Sequence, residues 1–194
     1  MSLQQWDQID FGAVPSRAHN QYKKAFGRHE KDRYAKYLGD VKSGKAKINA
    51  GQMHVHELVR QYLNGGREDA TVEAQWSAKM DAVQQSIQDS DNTCNLDRCL
   101  AVCDVSGSMH GTPMEVCIAL GIVTALSARG PFHRRCLTFS KTPNWQTIQG
   151  ESLYDMVSNL RRAHWGMSTD LLKSMRLILD TARKNRVAPG DMPQ

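Results

Sequence analysis

The feature that most constrains the fold is the segment at residues 99–112, CLAVCDVSGSMHGT, in which five apolar residues run directly into a short polar loop. A short continuous apolar run is typical of a strand that is buried on both faces in the middle of a parallel sheet. Thr112 and Pro113 follow as a helix cap and a first helical residue, and residues 114–128 are almost wholly apolar, as in a helix that packs on a sheet. The segment therefore predicts half of a βαβ unit, with a buried central strand at 100–103.

The loop after this predicted strand carries oxygen-bearing side chains at alternate positions. In the string DVSGS, Asp104, Ser106 and Ser108 alternate along an extended turn beyond the carboxyl end of the strand, so their oxygens can converge on one point. One carboxylate and two hydroxyls are hard ligands that suit octahedral Mg²⁺, with Mn²⁺ as a close substitute. The sequence therefore predicts a divalent-cation site at this loop.

The residue types of the same loop exclude two catalytic interpretations. A serine hydrolase needs GxSxG at a strained turn, and an aspartyl phosphatase needs a second carboxylate two residues after the nucleophile, where Ser106 stands. We therefore predict a protein that binds and does not catalyse. A loop that merely caps the following helix stays open as the structural alternative.

The rest of the chain divides into a helical part and a mixed part. Apolar residues recur at helical spacing over residues 16–43, with a break near Gly27, over His54–Leu63, and over residues 68–88. Farther along, 135–139 and 145–148 read as strands of a hairpin at a sheet edge, and 151–163 and 170–186 read as helices. We predict an α/β fold with an all-helical region at 1–95 and a sheet-containing domain at 96–194.

Positive charge is concentrated in the first third of the chain. The whole chain has a net charge of +5, and residues 1–66, with eleven Lys or Arg and six Asp or Glu, carry all of it. Basic side chains interleaved with Tyr22, Tyr34 and Tyr37 can bind phosphates and stack bases. The alternative is that these side chains form a solvent-exposed helical face with no binding function. The candidate nucleic-acid-binding residues are Lys23, Lys24, Arg28, Lys31, Arg33 and Lys36.

Asp104-Val-Ser106-Gly-Ser108, after an apolar strand and before a helix, resembles the metal-ion-dependent adhesion site of von Willebrand factor A domains. That resemblance implies a Rossmann-like sheet and a second loop with a threonine ligand. The string Gly166-Met-Ser-Thr169-Asp170 looks like this loop, with Thr169 as the matching ligand. We expect Asp170, beside it, and Glu115, one turn into the predicted helix, to support the ligands.

The chain as a whole, from PSRAHNQYKKAFGRHEKDRYAKYLGDVKSGKAKINAG through SGSMHGTPMEVCIALG to HWGMSTD, is similar to the DUF2828 family over nearly its full length. The von Willebrand resemblance also implies a third loop with an aspartate, and further strands, after the helix at 170–186. This sequence ends at Gln194 before either. We therefore expect a partial domain without its C-terminal strands, a fragment of a longer protein, and weak binding of the ion.

Two functional hypotheses follow from these observations. The first is a metal-dependent protein-interaction module whose partner donates a carboxylate to the ion. The second is an RNA-binding protein that uses the basic helical region, as the similar architecture of Ro-type proteins implies. The start MSLQQWDQID lacks the pattern of a signal peptide and no apolar run reaches membrane-spanning length, so we expect a cytoplasmic protein without a membrane partner.

Overall fold

The structure, a computed structural model, describes residues 5–89, 96–104, 106–138, 142–162 and 170–193. Within these ranges the chain forms helices α1 to α7 and a sheet of three short strands, β1 to β3, which confirms a mixed α/β fold. In chain order the elements are α1 Ser16–His29, α2 Lys31–Lys42, α3 Val55–Leu63, α4 Ala70–Asp89, β1 Val102–Cys103, α5 Thr112–Ser127, β2 Arg135–Thr138, β3 Trp145–Thr147, α6 Leu153–Arg161 and α7 Leu171–Lys184.

The first two helices separate at Glu30, so the predicted break near Gly27 is wrong. Gly27 lies inside α1, where a glycine lowers helix stability without ending the helix. The chain leaves helical geometry at Glu30, whose amide still donates to the carbonyl of Phe26 at 2.9 Å. The Glu30 carboxylate then accepts from Arg33 Nε at 3.0 Å, which ties the turn to the start of α2.

A buried polar chain joins α1, α2 and α4. The hydroxyl of Tyr34 lies 3.0 Å from His19 Nε2 and 2.7 Å from Thr71 Oγ1, and all three residues are buried. His19 Nδ1 has no hydrogen-bond partner among the described residues. Burial penalises the imidazolium and lowers the pKa of His19 to about 4. The helical region is thus joined by polar contacts around a buried histidine whose neutral form is favoured by burial.

The sheet has the order β1-β2-β3, with β1 parallel to β2 and β2 antiparallel to β3. Val102 pairs with Leu137, and Leu137 in turn with Trp145. The β2–β3 hairpin lies at one edge, as predicted. The prediction of a central strand buried on both faces is wrong for the described residues, because β1 occupies the other edge and the Val102 side chain is 40% exposed.

Helices cover both faces of this sheet. On one face α5 approaches β1 so closely that a Cβ added at Gly121 would lie 2.7 Å from Cys103 Sγ. On the other face Ile178 and Ala182 of α7 pack in one cluster with Leu137. The indole Nε1 of Trp145 donates to Thr181 Oγ1 at 2.9 Å and fixes α7 over the β3 side of the sheet.

The helical region and the sheet share one hydrophobic core. Residues Leu58, Val59 and Tyr62 of α3 belong to the same buried cluster as residues of α5 and α6. The backbone amides of Leu153 and Tyr154, at the start of α6, donate to the Glu73 carboxylate of α4 at 2.8 and 3.1 Å. A carboxylate at a helix N-terminus satisfies otherwise unpaired amides. The predicted division at 95/96 therefore separates two parts that pack tightly on each other.

Candidate metal site at the carboxyl end of β1

The loop after β1 carries the three predicted oxygen-bearing side chains, and hydrogen bonds within the loop fix its turn and two of these side chains. Asp104 follows the last residue of the strand, and its Oδ1 accepts from the backbone amide of Ser106 at 2.9 Å. This bond turns the chain back on itself, as aspartate commonly does in loops. A 3-10 turn over Gly107–Met109 then places Ser108 Oγ 3.0 Å from Ser106 Oγ. The hydroxyls of Ser106 and Ser108 are thus neighbours, whereas the Asp104 carboxylate bonds the backbone of the loop, and the convergence of all three on one ion stays a prediction.

The spacing of the two hydroxyls fits an octahedral ion. Magnesium–oxygen distances of about 2.0 to 2.1 Å place two adjacent ligands of an octahedron about 3.0 Å apart. Ser106 Oγ and Ser108 Oγ have this separation, and Ser108 is exposed to solvent. The same hydroxyls hydrogen-bond each other, which satisfies them when no ion is bound. The 3.0 Å separation is therefore compatible with two ligands of an octahedral ion and equally with the hydrogen bond between the two hydroxyls.

The second predicted loop is only partly described. Thr169, the proposed ligand from that loop, lies outside the described residues. Asp170 caps α7: its Oδ1 accepts from the backbone amide of Lys173 at 3.0 Å, and its Oδ2 pairs with Lys173 Nζ at 3.2 Å. The backbone hydrogen bond and the ammonium group lower the pKa of Asp170. Its carboxylate is thus an ionised helix cap.

Glu115 has a partner that the sequence did not reveal. Its buried carboxylate accepts from Arg60 of α3 at 2.7 Å, and Arg60 Nη2 also donates to Thr112 Oγ1 at 3.3 Å. The pair joins the helical region to the first turn of α5, next to the loop. Arg60 and Glu115 are 55 positions apart in the chain, so only the packing of α3 on α5 brings them together.

The loop offers a metal ion little negative charge. Among the described residues, no group of three or more histidine, cysteine, aspartate or glutamate side chains is placed to hold a metal ion. The DVSGS loop differs from such a group because it offers one carboxylate and two neutral hydroxyls. These residues fit a hard divalent cation that keeps several of its waters.

The basic residues of α1 and α2 fall into two groups. Lys23 and Arg33 have structural partners: Lys23 Nζ pairs with Asp69 at 2.9 Å, and Arg33 donates to the carbonyls of Trp6 and Ile9 at 2.6 and 2.7 Å. The other four predicted phosphate-binding side chains are exposed to solvent, and these are Lys24, Arg28, Lys31 and Lys36.

The aromatic part of that prediction needs correction. Tyr34 is buried in the helical core and hydrogen-bonded to Thr71, so its ring cannot stack on a base. Tyr37 donates from its hydroxyl to the carbonyl of Lys47 at 2.8 Å and is half-buried. Of the three tyrosines, Tyr22 is the most exposed, at 40%.

No helix within the described ranges combines the length and the apolar character needed to cross a membrane.

Comparisons with known proteins assign the two parts of the chain to different families. Residues 98–194 match the model for a domain of unknown function, DUF7788, and residues 1–90 match a second one, DUF2828. The expected DUF2828 similarity is therefore confirmed for the helical region, and the sheet-containing region matches a separate family. No solved structure matches the chain.

One relative is Uncharacterized protein L728 of Acanthamoeba polyphaga mimivirus, which is 40% identical over 205 residues. The alignment covers 99% of this chain and 35% of that protein. The chain thus spans about a third of the length of this relative. Because the DUF7788 model matches half of the sequence, behind the DUF2828 segment, the chain belongs to the DUF7788 family.

Proposed function

We propose that this chain is a divalent-metal-dependent protein-interaction module of the von Willebrand factor A type that binds and does not catalyse. The observation that carries the proposal is the placement of Ser106 Oγ and Ser108 Oγ 3.0 Å apart, next to Asp104 at the carboxyl end of β1. The position supports it too, since ligand sites of open α/β sheets lie beyond the carboxyl ends of strands. We propose Mg²⁺ or Mn²⁺ as the ion and Thr169 as a further ligand.

The charge balance of the loop favours an anionic partner. Asp104 contributes one negative charge and the two serines none, so a bound divalent ion keeps a net positive charge. Four protein oxygens, with Thr169 included, also leave positions open in an octahedral shell. The N-terminus of α5 starts four residues after Ser108 and adds positive potential. A carboxylate from a partner protein would neutralise the remaining positive charge of the ion and occupy an open coordination position.

Direct metal binding tests the first step of the proposal. Mn²⁺ is titrated into the 194-residue chain, and binding is measured as the loss of the electron paramagnetic resonance signal of free Mn²⁺. Mg²⁺ is then added as a competitor. We expect weak, Mg²⁺-competed binding that Asp104→Ala abolishes and Ser106→Ala with Ser108→Ala reduces. Asp81→Ala and Ser77→Ala, at exposed positions of α4, are matched controls and should bind like the wild type. Equal binding by Asp104→Ala and Asp81→Ala would refute the site.

Partner binding tests the second step. A tagged chain is used to recover proteins from a cell lysate in Mg²⁺ or in EDTA, in parallel with Asp104→Ala. We expect a partner that is recovered only by the wild type in Mg²⁺, and that is lost again when its own acidic contact residue is neutralised. A partner indifferent to both EDTA and Asp104→Ala would rule out metal-dependent recognition.

RNA binding by the helical region is a second candidate function. It is favoured by the exposure of Lys24, Arg28, Lys31 and Lys36 on the adjacent helices α1 and α2. Fluorescence anisotropy with a single-stranded RNA across a salt series measures the number of phosphates contacted. Changing all four to glutamine should reduce the slope of log K against log salt by about 3, since each phosphate contact contributes about 0.7.

The matched control for this experiment removes four exposed cations elsewhere: Arg67, Arg162, Arg183 and Lys184. This variant has the same net charge as the test variant but keeps the α1–α2 surface. If both variants change the slope equally, the binding reflects overall charge and not a site on α1 and α2. If the wild type does not bind at low salt, the RNA proposal is wrong.

A further inference from the structure

The loop after β1 is anchored at its two ends by different parts of the chain. At one end, Cys103 of β1 pairs with Thr138 of β2, so the sheet holds the residue that precedes Asp104. At the other end the chain enters α5 at Thr112 through Gly111, whose φ of +86° favours glycine. Gly111 has no side chain that could cap α5, so this end lacks the side-chain hydrogen bond that commonly fixes the start of a helix.

A contact from the helical region holds this second end. Arg60 of α3 donates from Nε to the Glu115 carboxylate at 2.7 Å and from Nη2 to Thr112 Oγ1 at 3.3 Å. One planar guanidinium thus bridges two side chains of the first turn of α5. The Glu115 carboxylate is buried, so its charge depends on this pair for compensation. Arg60 therefore fixes the start of α5 against α3, directly after the loop.

We propose that Arg60 is a positioning residue for the candidate metal loop: its guanidinium sets where the loop enters α5, and so where Ser106 and Ser108 lie. Side chains behind the ligands of a metal commonly control its affinity by holding those ligands in place. The inference rests on the proposed metal-binding function. It goes further because it assigns part of the affinity for the ion to a residue of the DUF2828 segment, outside the DUF7788 segment that contains the loop.

The sign of the effect on affinity separates positioning from electrostatics. A guanidinium near a cation site repels the ion, so Arg60→Met would tighten Mn²⁺ binding if Arg60 acted only through its charge. If Arg60 positions the loop, the same substitution weakens binding. Arg60→Lys keeps the charge but cannot reproduce the planar, two-pronged contact with Glu115 and Thr112. Charge alone therefore predicts unchanged binding for this variant, whereas positioning predicts a partial loss.

The first measurement is Mn²⁺ binding to the 194-residue chain by electron paramagnetic resonance. We expect Arg60→Met to weaken binding by about ten-fold, the lower end of the effect that such outer contacts have on metal affinity, and Arg60→Lys to weaken it less. The matched control Arg129→Met also removes one positive charge and one ion pair, with Asp97. Arg129 lies beyond the far end of the 16-residue helix α5, about 24 Å from its first turn, so this variant should bind Mn²⁺ like the wild type.

Hydrogen exchange in EDTA provides a second readout, which needs no metal. The backbone amides of Ser106, Met109 and His110 donate hydrogen bonds within the loop, so their exchange is slow only while the loop keeps this turn. Arg60→Met should speed the exchange of these three amides, and Arg129→Met should leave it unchanged. A residue that merely stabilised the whole fold would instead speed exchange equally in all the core helices.

Circular dichroism shows whether each variant keeps the wild-type helix content. If Arg60→Met does not fold because Glu115 is left unpaired, Arg60→Lys provides the test, and wild-type Mn²⁺ affinity in that variant overturns the proposal. Where Arg60→Met folds, Mn²⁺ binding equal to or tighter than that of the wild type overturns it. If the wild type binds no Mn²⁺, the proposed function fails, and the role of Arg60 is then decided by hydrogen exchange: unchanged exchange of the loop amides overturns it.

Discussion

Replacement of His19 by glutamine tests whether the helical region depends on a neutral buried histidine. His19 is completely buried, its Nε2 lies 3.0 Å from the Tyr34 hydroxyl, and burial lowers its pKa from 6.5 to about 4. The unfolded chain therefore takes up the proton at a higher pH than the folded chain does. Stability must then fall as the pH decreases below about 6.5, and this loss levels off below about 4.

The size of the effect follows from the two pKa values. At pH 5.0 the unfolded histidine is almost wholly protonated and the folded one is almost wholly neutral. Linkage then gives a loss of about 2 kcal/mol in the free energy of unfolding between pH 7.5 and pH 5.0 from this residue alone. Glutamine can hydrogen-bond Tyr34 but does not titrate, so the variant should lose this part of the pH dependence.

Urea unfolding of the wild type and of His19→Gln at the two pH values measures the difference directly. Carboxylates that titrate in the same range contribute equally to both proteins and cancel in the comparison. His110→Gln, at an exposed position after the DVSGS loop, is the matched control and should behave like the wild type. If the wild type and His19→Gln lose the same stability between pH 7.5 and pH 5.0, the reasoning about His19 is wrong.

Three further substitutions test the packing around the sheet. Gly121→Ala should destabilise the fold by about 1 to 3 kcal/mol, because the added Cβ would meet Cys103 Sγ at 2.7 Å, and this outweighs the better helix propensity of alanine. Adding Cys103→Ala should restore most of the lost stability, as measured in a thermal melt. Ile122→Ala, at a fully buried position, should cost about 2 to 5 kcal/mol in urea unfolding, whereas Leu120→Ala, at an exposed position of the same helix, should cost much less. Trp145→Phe removes the indole bond to Thr181 and should cost about 1 kcal/mol by the same assay; no loss would show that this bond does not hold α7 in place.

Local signals in the sequence were sufficient to place most elements. The apolar spacing on either side of Tyr62 predicted α3 and α4 to within a few residues. Pro113 marked the start of α5 to within one residue, but the predicted cap at Thr112 is wrong, because Gly111 is the N-cap and Thr112 is the first helical residue. These signals come from residues that are close together along the chain, so they do not require the tertiary structure. The break between α1 and α2 was misplaced because glycine only weakens a helix, whereas Glu30 ends it through contacts that the pattern does not encode.

Within the candidate site, the sequence alone determined the oxygen-bearing side chains and their alternation, since Asp104, Ser106 and Ser108 lie within five consecutive residues and the loop turns through a bond between Asp104 and Ser106. Tertiary structure alone decided everything that depends on distant parts of the chain. It paired Glu115 with Arg60, buried Tyr34, and placed β1 at one edge of the described three-stranded sheet. The physical reason is that hydrophobic periodicity shows that a face is apolar but not which surface covers it.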